Sequence, residues 1–152
     1  MELEKDYEIL RKKYALPMFE ELDIEFEIHC IEDGKFLIKD IRQKIIEKID
    51  EFCIMVEDIL QPDTKVSNLY ESRVFTEADK EKIFKIFRKL MRIKRRAMQL
   101  MILNNEKEDA EFIKKTFSEW QELKEQLNPV VKKLIEAWET ETDIKEQLSY
   151  LG

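Results

Sequence analysis

Between Ile38 and Ile59 a run of apolar residues, Ile38, Ile41, Ile45, Ile49, Phe52, Val56 and Ile59, recurs at steps of three or four positions. That period lines one stripe of an α-helix but scatters over both faces of a strand. It predicts a helix from Phe36 to Leu60, ended by Gln61-Pro62-Asp63. The β-branched residues within it favour a strand locally, but a period kept over this length outweighs propensity. The rest of the chain has few ways to turn, with two Gly and three Pro in 152 residues. Folds of many short strands lean on those residues at their turns. Long helices joined by few connections follow.

Leu3, Tyr7, Leu10 and Tyr14 give residues 2–15 the pattern of a short amphipathic helix, stopped by Pro17. A proline disfavours α conformation in the residue before it, and Pro17 itself suits the first turn of a second helix. Residues 18–32 admit two readings. Phe19, Leu22, Phe26 and Cys30 share a helical face, whereas Ile24, Phe26, Ile28 and Cys30 alternate as in a strand ahead of Asp33-Gly34, a hairpin turn signal. The helix is preferred, because the hairpin's second strand would have to be Lys35–Lys39, which already belongs to the long helical pattern.

Residues 63–75 read as a connection with one helical turn near Ser67–Tyr70. Thr76, with Asp79 three residues on, opens the next helix, since a Thr hydroxyl accepts from a free N–H of the first turn. This helix runs to Leu103. Asn104-Asn105 breaks it and caps 106–127, whose inner face carries Phe112, Ile113, Thr116, Phe117, Trp120, Leu123 and Leu127. Asn128-Pro129 looks like a cap and first-turn proline, starting a last helix through Val131, Leu134 and Trp138. Such short connections force antiparallel neighbours. The expected fold is all-α: an up-and-down antiparallel helical bundle of four longer helices (36–60, 76–103, 106–127, 129–148) plus one or two short N-terminal helices. It forms a single domain in which residues 1–32 cover the bundle at 36–148.

Cys30 and Cys53 make neither a disulfide framework nor a zinc-ligand spacing, and read as small buried hydrophobes. The N-terminus is too acidic for a signal peptide, and no apolar run approaches the roughly 18 residues of a membrane span. A cytoplasmic protein without membrane attachment is the expectation. The 40% charged content is also that of a thermophile's ion-pair-rich surface.

Charge is unevenly spread. Lys80–Arg96 holds nine Lys or Arg against Glu81, a net +8 within a chain of −7, leaving −15 elsewhere. At about 100° per residue, Lys82, Lys85, Arg88, Lys89, Arg92, Arg95 and Arg96 share one half of that helix. Phe84, Phe87, Met91, Met98 and Met101 join the aliphatic residues on the other. Such a face attracts phosphate backbones or acidic protein surfaces. The plainer reading is a solvated face partly neutralised by Glu-rich neighbours.

Four charges interrupt apolar stripes: Arg42, Lys94, Asp109 and Glu141. Their heights along antiparallel helices spread over roughly 9 Å, close enough for one polar layer. Paired, they would fix helix register. Used chemically, Arg42 and Lys94 would bind a small anion, with Asp109 or Glu141 as a base.

His29 is the only histidine, so neither a His-rich metal site nor a Ser-His-Asp arrangement can be built within the chain. No dinucleotide or phosphate-loop motif occurs, and no cofactor is implied. The expected function is a non-enzymatic helical interaction module whose basic face (80–96) contacts an acidic protein or nucleic-acid partner. Two alternatives are an enzyme or small anion-binding protein using the polar layer, and a homo-oligomer pairing through the Ile38–Ile59 seam.

Overall fold

The computed structural model describes residues 2–140, and among these no strand occurs. The helices are α1 (Glu2–Tyr14), α2 (Phe19–Phe26), α3 (Leu37–Leu60), α4 (Val66–Arg73), α5 (Glu77–Leu103) and α6 (Glu106–Glu139), with a 3-10 turn at Ile28–Cys30. The fold is all-α. The described residues group into two compact units: 2–51 with 91–121, and 52–90 with 122–140.

In the first unit α1 ends where Ala15 turns left-handed (φ 56°) and the Leu16 N–H reaches back to the Arg11 carbonyl at 3.1 Å. This is a six-to-one closure that satisfies an orphan carbonyl and buries Leu16. Pro17 does not enter the first turn of α2. It precedes the N-terminal flanking residue Met18, and its carbonyl accepts the hydroxyl of buried Tyr7 at 2.5 Å. Burial pushes the Tyr7 phenol upward.

The helical reading of 18–32 holds over Phe19–Phe26, and the alternating strand does not form. Glu27 is left-handed (φ 54°), so the chain leaves the helical phase there. Ile28 and Ile31 are consequently buried while Cys30 is exposed, against the expectation of two buried cysteines. Cys53 is buried as expected.

On α3 the seam is buried throughout, except that Phe52 is half-buried and its neighbour Cys53 is buried in its stead. In the first unit Arg42 meets Asp109 and the Lys48 ammonium lies over the Trp120 ring, so positions on α3 and α6 rise together and the two run parallel. The turn at 104–105 reverses α5 into α6. Asn104 is left-handed (φ 51°), and the Asn105 side-chain oxygen accepts the Glu108 N–H at 3.1 Å. Within the first unit the long helices therefore alternate in direction as expected.

In the second unit α4 is longer than the single turn anticipated. Buried Ser72 donates to the Ile59 carbonyl at 2.7 Å, and Tyr70 donates to the Ala137 carbonyl at 2.5 Å. The start of α5 is a reciprocal box. The Asp79 N–H donates to the Thr76 hydroxyl at 3.1 Å, and the Thr76 N–H donates to the Asp79 carboxylate at 3.0 Å.

One boundary is corrected. No break occurs at Asn128-Pro129: α6 is a single helix of 34 residues with Pro129 inside it. Among the described residues there are therefore three longer helices rather than four, and the part of the expected last helix at 141–148 lies outside them. A proline removes one N–H and crowds the carbonyl four residues back, costing about 3 kcal/mol. An unbroken apolar period offsets that cost. Ile113, Thr116, Trp120, Leu123, Leu127, Val130, Leu134 and Ala137 are all buried and keep strict three-four spacing through the proline. The inner residues are thus Val130 and Ala137 rather than Val131 and Trp138. Trp138 is 54% exposed and donates to Glu71 at 2.9 Å.

The box at Thr76 carries a pH prediction. The Lys133 ammonium, 2.8 Å away, and the Thr76 N–H hold the Asp79 carboxyl down from its ordinary 3.8 to about 2. A depressed folded-state value stabilises the fold above the ordinary value and loses that stabilisation as pH falls through the depressed one. Thermal melts should show wild type above Asp79→Asn at neutral pH, with the gap closing as pH drops from about 4 to about 2. A gap that persists at the lowest pH would contradict an electrostatic role.

Candidate functional site

The buried positions of α5 are Ile83, Ile86, Leu90, Ile93, Ala97 and Leu100, a narrow three-four stripe. The apolar half expected from sequence is wider than this. Phe84, Met98 and Met101 are 50%, 53% and 67% exposed. A stripe one or two residues wide per turn is all that a helix buries against few neighbours. These apolar side chains lie outside that stripe, among the cations.

Lys82, Lys85, Arg88, Arg92 and Arg95 are exposed. Among the described residues, Lys82, Lys85, Arg88 and Arg92 have no carboxylate at ion-pair distance, and the Arg95 guanidinium contacts the Met98 sulfur at 3.2 Å. The other two of the seven are half-buried and tied to α6. Lys89 lies 3.7 Å from Glu122 and 3.4 Å from the Gln126 side-chain oxygen. Arg96 lies 4.0 Å from Glu108 and donates to Gln99 at 2.6 Å. Neighbouring Glu residues thus neutralise the edge of the face and leave its middle charged.

In the second unit this face borders a groove of about 530 Å³ between α5 and α6. Phe75, Ile83, Ile86, Pro129 and Val130 form its apolar wall, and Lys82, Lys85, Lys89 and Lys133 stand around it. Lys133 is engaged with Asp79, and its ammonium also lies 5.2 Å from the Phe75 ring centre.

Of the four charges expected to form one layer, three are described, and they fall in two different ion pairs. Arg42 donates to Asp109 at 2.5 Å, with side chains 11% and 1% exposed. Lys94 is half-buried and donates to Asp50 at 2.6 Å. Asp50 lies eight residues beyond Arg42 on α3, about 12 Å of helix rise. Glu141 lies outside the described residues. Asp50 escaped the sequence reading because it flanks the apolar seam, and nothing in one chain sets the register between α3 and α5. Among the described residues no group of three or more His, Cys, Asp or Glu is placed to hold a metal ion. No helix among them is long and apolar enough to cross a membrane.

Compared with known proteins, the chain matches no protein-family model, no curated protein and no solved structure.

Proposed function

We propose that the chain is a non-enzymatic helical interaction module whose basic α5 face receives an acidic, amphipathic segment of a partner protein. The observation that carries this reading is the groove at Phe75, Ile83, Ile86 and Val130 with lysines standing around it. An apolar trough beside unpaired cations complements a helix that has apolar anchors on one side and carboxylates beside them. Phosphate backbones would use the cations but not the trough, and so the protein partner is favoured over nucleic acid. Exposed Arg88, Arg92 and Arg95 extend the same charge along α5 and steer the encounter.

Fluorescence anisotropy with two labelled probes tests this: an amphipathic Glu/Leu helical peptide and a single-stranded oligonucleotide. The peptide should bind, and bind more weakly between about 50 and about 200 mM salt, as exposed charge pairs are screened. Lys82→Glu with Lys85→Glu should lower its affinity about tenfold, and the triple reversal at Arg88, Arg92 and Arg95 by at least as much. Binding of the oligonucleotide alone would assign the face to nucleic acid. If the reversals leave affinity and salt dependence unchanged for both probes, the basic face is only a solvated surface.

A further inference from the structure

The first unit holds a cleft of about 860 Å³ framed by α1, residues 32–39 and the start of α6. Six carboxylates line it: Glu2 and Asp6 from α1, Glu32 and Asp33 from the connection before α3, and Glu106 and Asp109 from α6. Leu3, Leu10, Leu37 and Ile38 form the apolar part of the wall. Gly34 lets the connection approach α1 closely, because a β-carbon there would stand 2.4 Å from the Asp6 carboxylate. Lys35 and Lys39 also lie on the cleft, but each is drawn over the Phe36 ring, at 5.5 and 5.9 Å from its centre. Glu106 is engaged by the Tyr14 hydroxyl at 2.5 Å and by Lys13 at 3.6 Å. Among the described residues, Glu2, Asp6 and Glu32 have no such partner.

A cluster of acidic residues alone would only describe a solvated surface. What singles this one out is Asp109, which is 1% exposed. Its Oδ1 accepts from Arg42, and its Oδ2, also buried, has no hydrogen-bond partner. An ionised carboxylate oxygen withdrawn from water without a donor is costly, and native folds rarely leave one so. A donor belongs there, and a cationic one would also offset the carboxylates that line the cleft. A guanidinium prefers both oxygens of a carboxylate, and Arg42 already occupies one. A metal ion would want several converging ligands, and no such group exists among the described residues. An ammonium group is compact and satisfies a single oxygen.

We propose that this cleft binds an aliphatic polyamine. One ammonium donates to Asp109 Oδ2, the methylene stem lies along Leu3, Leu10, Leu37 and Ile38, and the remaining ammonium groups face Glu2, Asp6 and Glu32. Nearby, burial and the charge of Asp33 hold the half-buried Asp40 carboxyl above the usual range, in keeping with uncompensated negative charge at this end of the unit. The site is independent of the basic face, and it can fail without affecting that reading.

Isothermal titration calorimetry on the full chain decides it, with spermidine, propylamine and Mg²⁺ as titrants at matched ionic strength. Spermidine should bind at one site, more tightly than either other cation, and raise the melting temperature. Asp6→Asn with Glu32→Gln, both outside the core, should weaken it about tenfold. The control Glu51→Gln with Glu57→Gln removes the same charge from α3 outside the cleft and should leave affinity unchanged. Asp109→Asn should also abolish the tight site, and the Asp6/Glu32 variant keeps the test valid if that substitution unfolds the protein. The proposal is overturned if Mg²⁺ matches spermidine or if the two double variants weaken it equally, since either marks a diffuse ion atmosphere. It is overturned too if no cation binds, which would leave a buried water as the donor to Asp109.

Discussion

Arg42→Met should destabilise the protein by about 3 kcal/mol at neutral pH, measured by urea unfolding. The cost comes less from the lost attraction than from what remains. Asp109 is 1% exposed, and Arg42 is its hydrogen-bonding cation. Without that cation, a carboxylate with one oxygen already lacking a donor is left wholly uncompensated in the interior. The double variant Arg42→Met/Asp109→Leu should recover most of the loss, because two apolar side chains of similar volume fill the space without the desolvation penalty. A single substitution costing under about 1 kcal/mol would mean that water reaches the pair and that it behaves like a surface ion pair. A double variant as unstable as the single one would show that the pair sets helix register, not merely its own neutrality.

Pro129→Ala should act in the opposite direction and stabilise the chain by about 2 kcal/mol. Position 129 is exposed, so alanine disturbs no packing there. The new N–H can donate to the Glu125 carbonyl, four residues back, and relieves the clash of the proline ring with it. Part of the gain, roughly 0.4–1 kcal/mol, is offset because proline also restricts the unfolded chain. Circular dichroism should show equal or slightly higher helicity alongside the raised urea midpoint. Unchanged or reduced stability would indicate that the helix is interrupted at Asn128-Pro129 in solution, as the local sequence signals.

That disagreement shows how much of the fold was legible. Cap and breaker signals worked where they agreed with the apolar period. Thr76 and Asp79 form the expected box, and Asn104-Asn105 both ends one helix and caps the next. At Asn128-Pro129 the local signal opposed the period, and the period prevailed. The buried stripe from Ile113 to Ala137 crosses the proline in phase, and burying it outweighs one lost hydrogen bond. The phase is present in the sequence, although the Asn-Pro signal predicts a restart at Val131. Glu27 is the converse case. A left-handed residue with no glycine to announce it shifted the phase, exposing Cys30 and burying Ile28 and Ile31.

The candidate sites were less legible for a different reason. The cations of α5 could be placed on one face from their spacing alone. Which of them are neutralised depends on Glu108 and Glu122 on α6, residues that only folding brings near. The spacing marks Arg42, Lys94 and Asp109 as charges on apolar stripes, yet it does not single out Asp50, to which Lys94 donates. The acidic cleft left no trace in the sequence reading, since its carboxylates come from α1, the connection before α3 and α6.

The sequence by itself determined the helical class, the seam of α3, the caps at Thr76 and Asn105, and the polarity of α5. These follow from interactions within one or two turns, which the order of residues specifies. Only the tertiary structure decided that α6 runs through its proline, which charge pairs with which, and that Arg42 engages just one oxygen of buried Asp109. Those outcomes depend on register between helices and on competition between burial and local hydrogen bonding, neither of which any single segment carries.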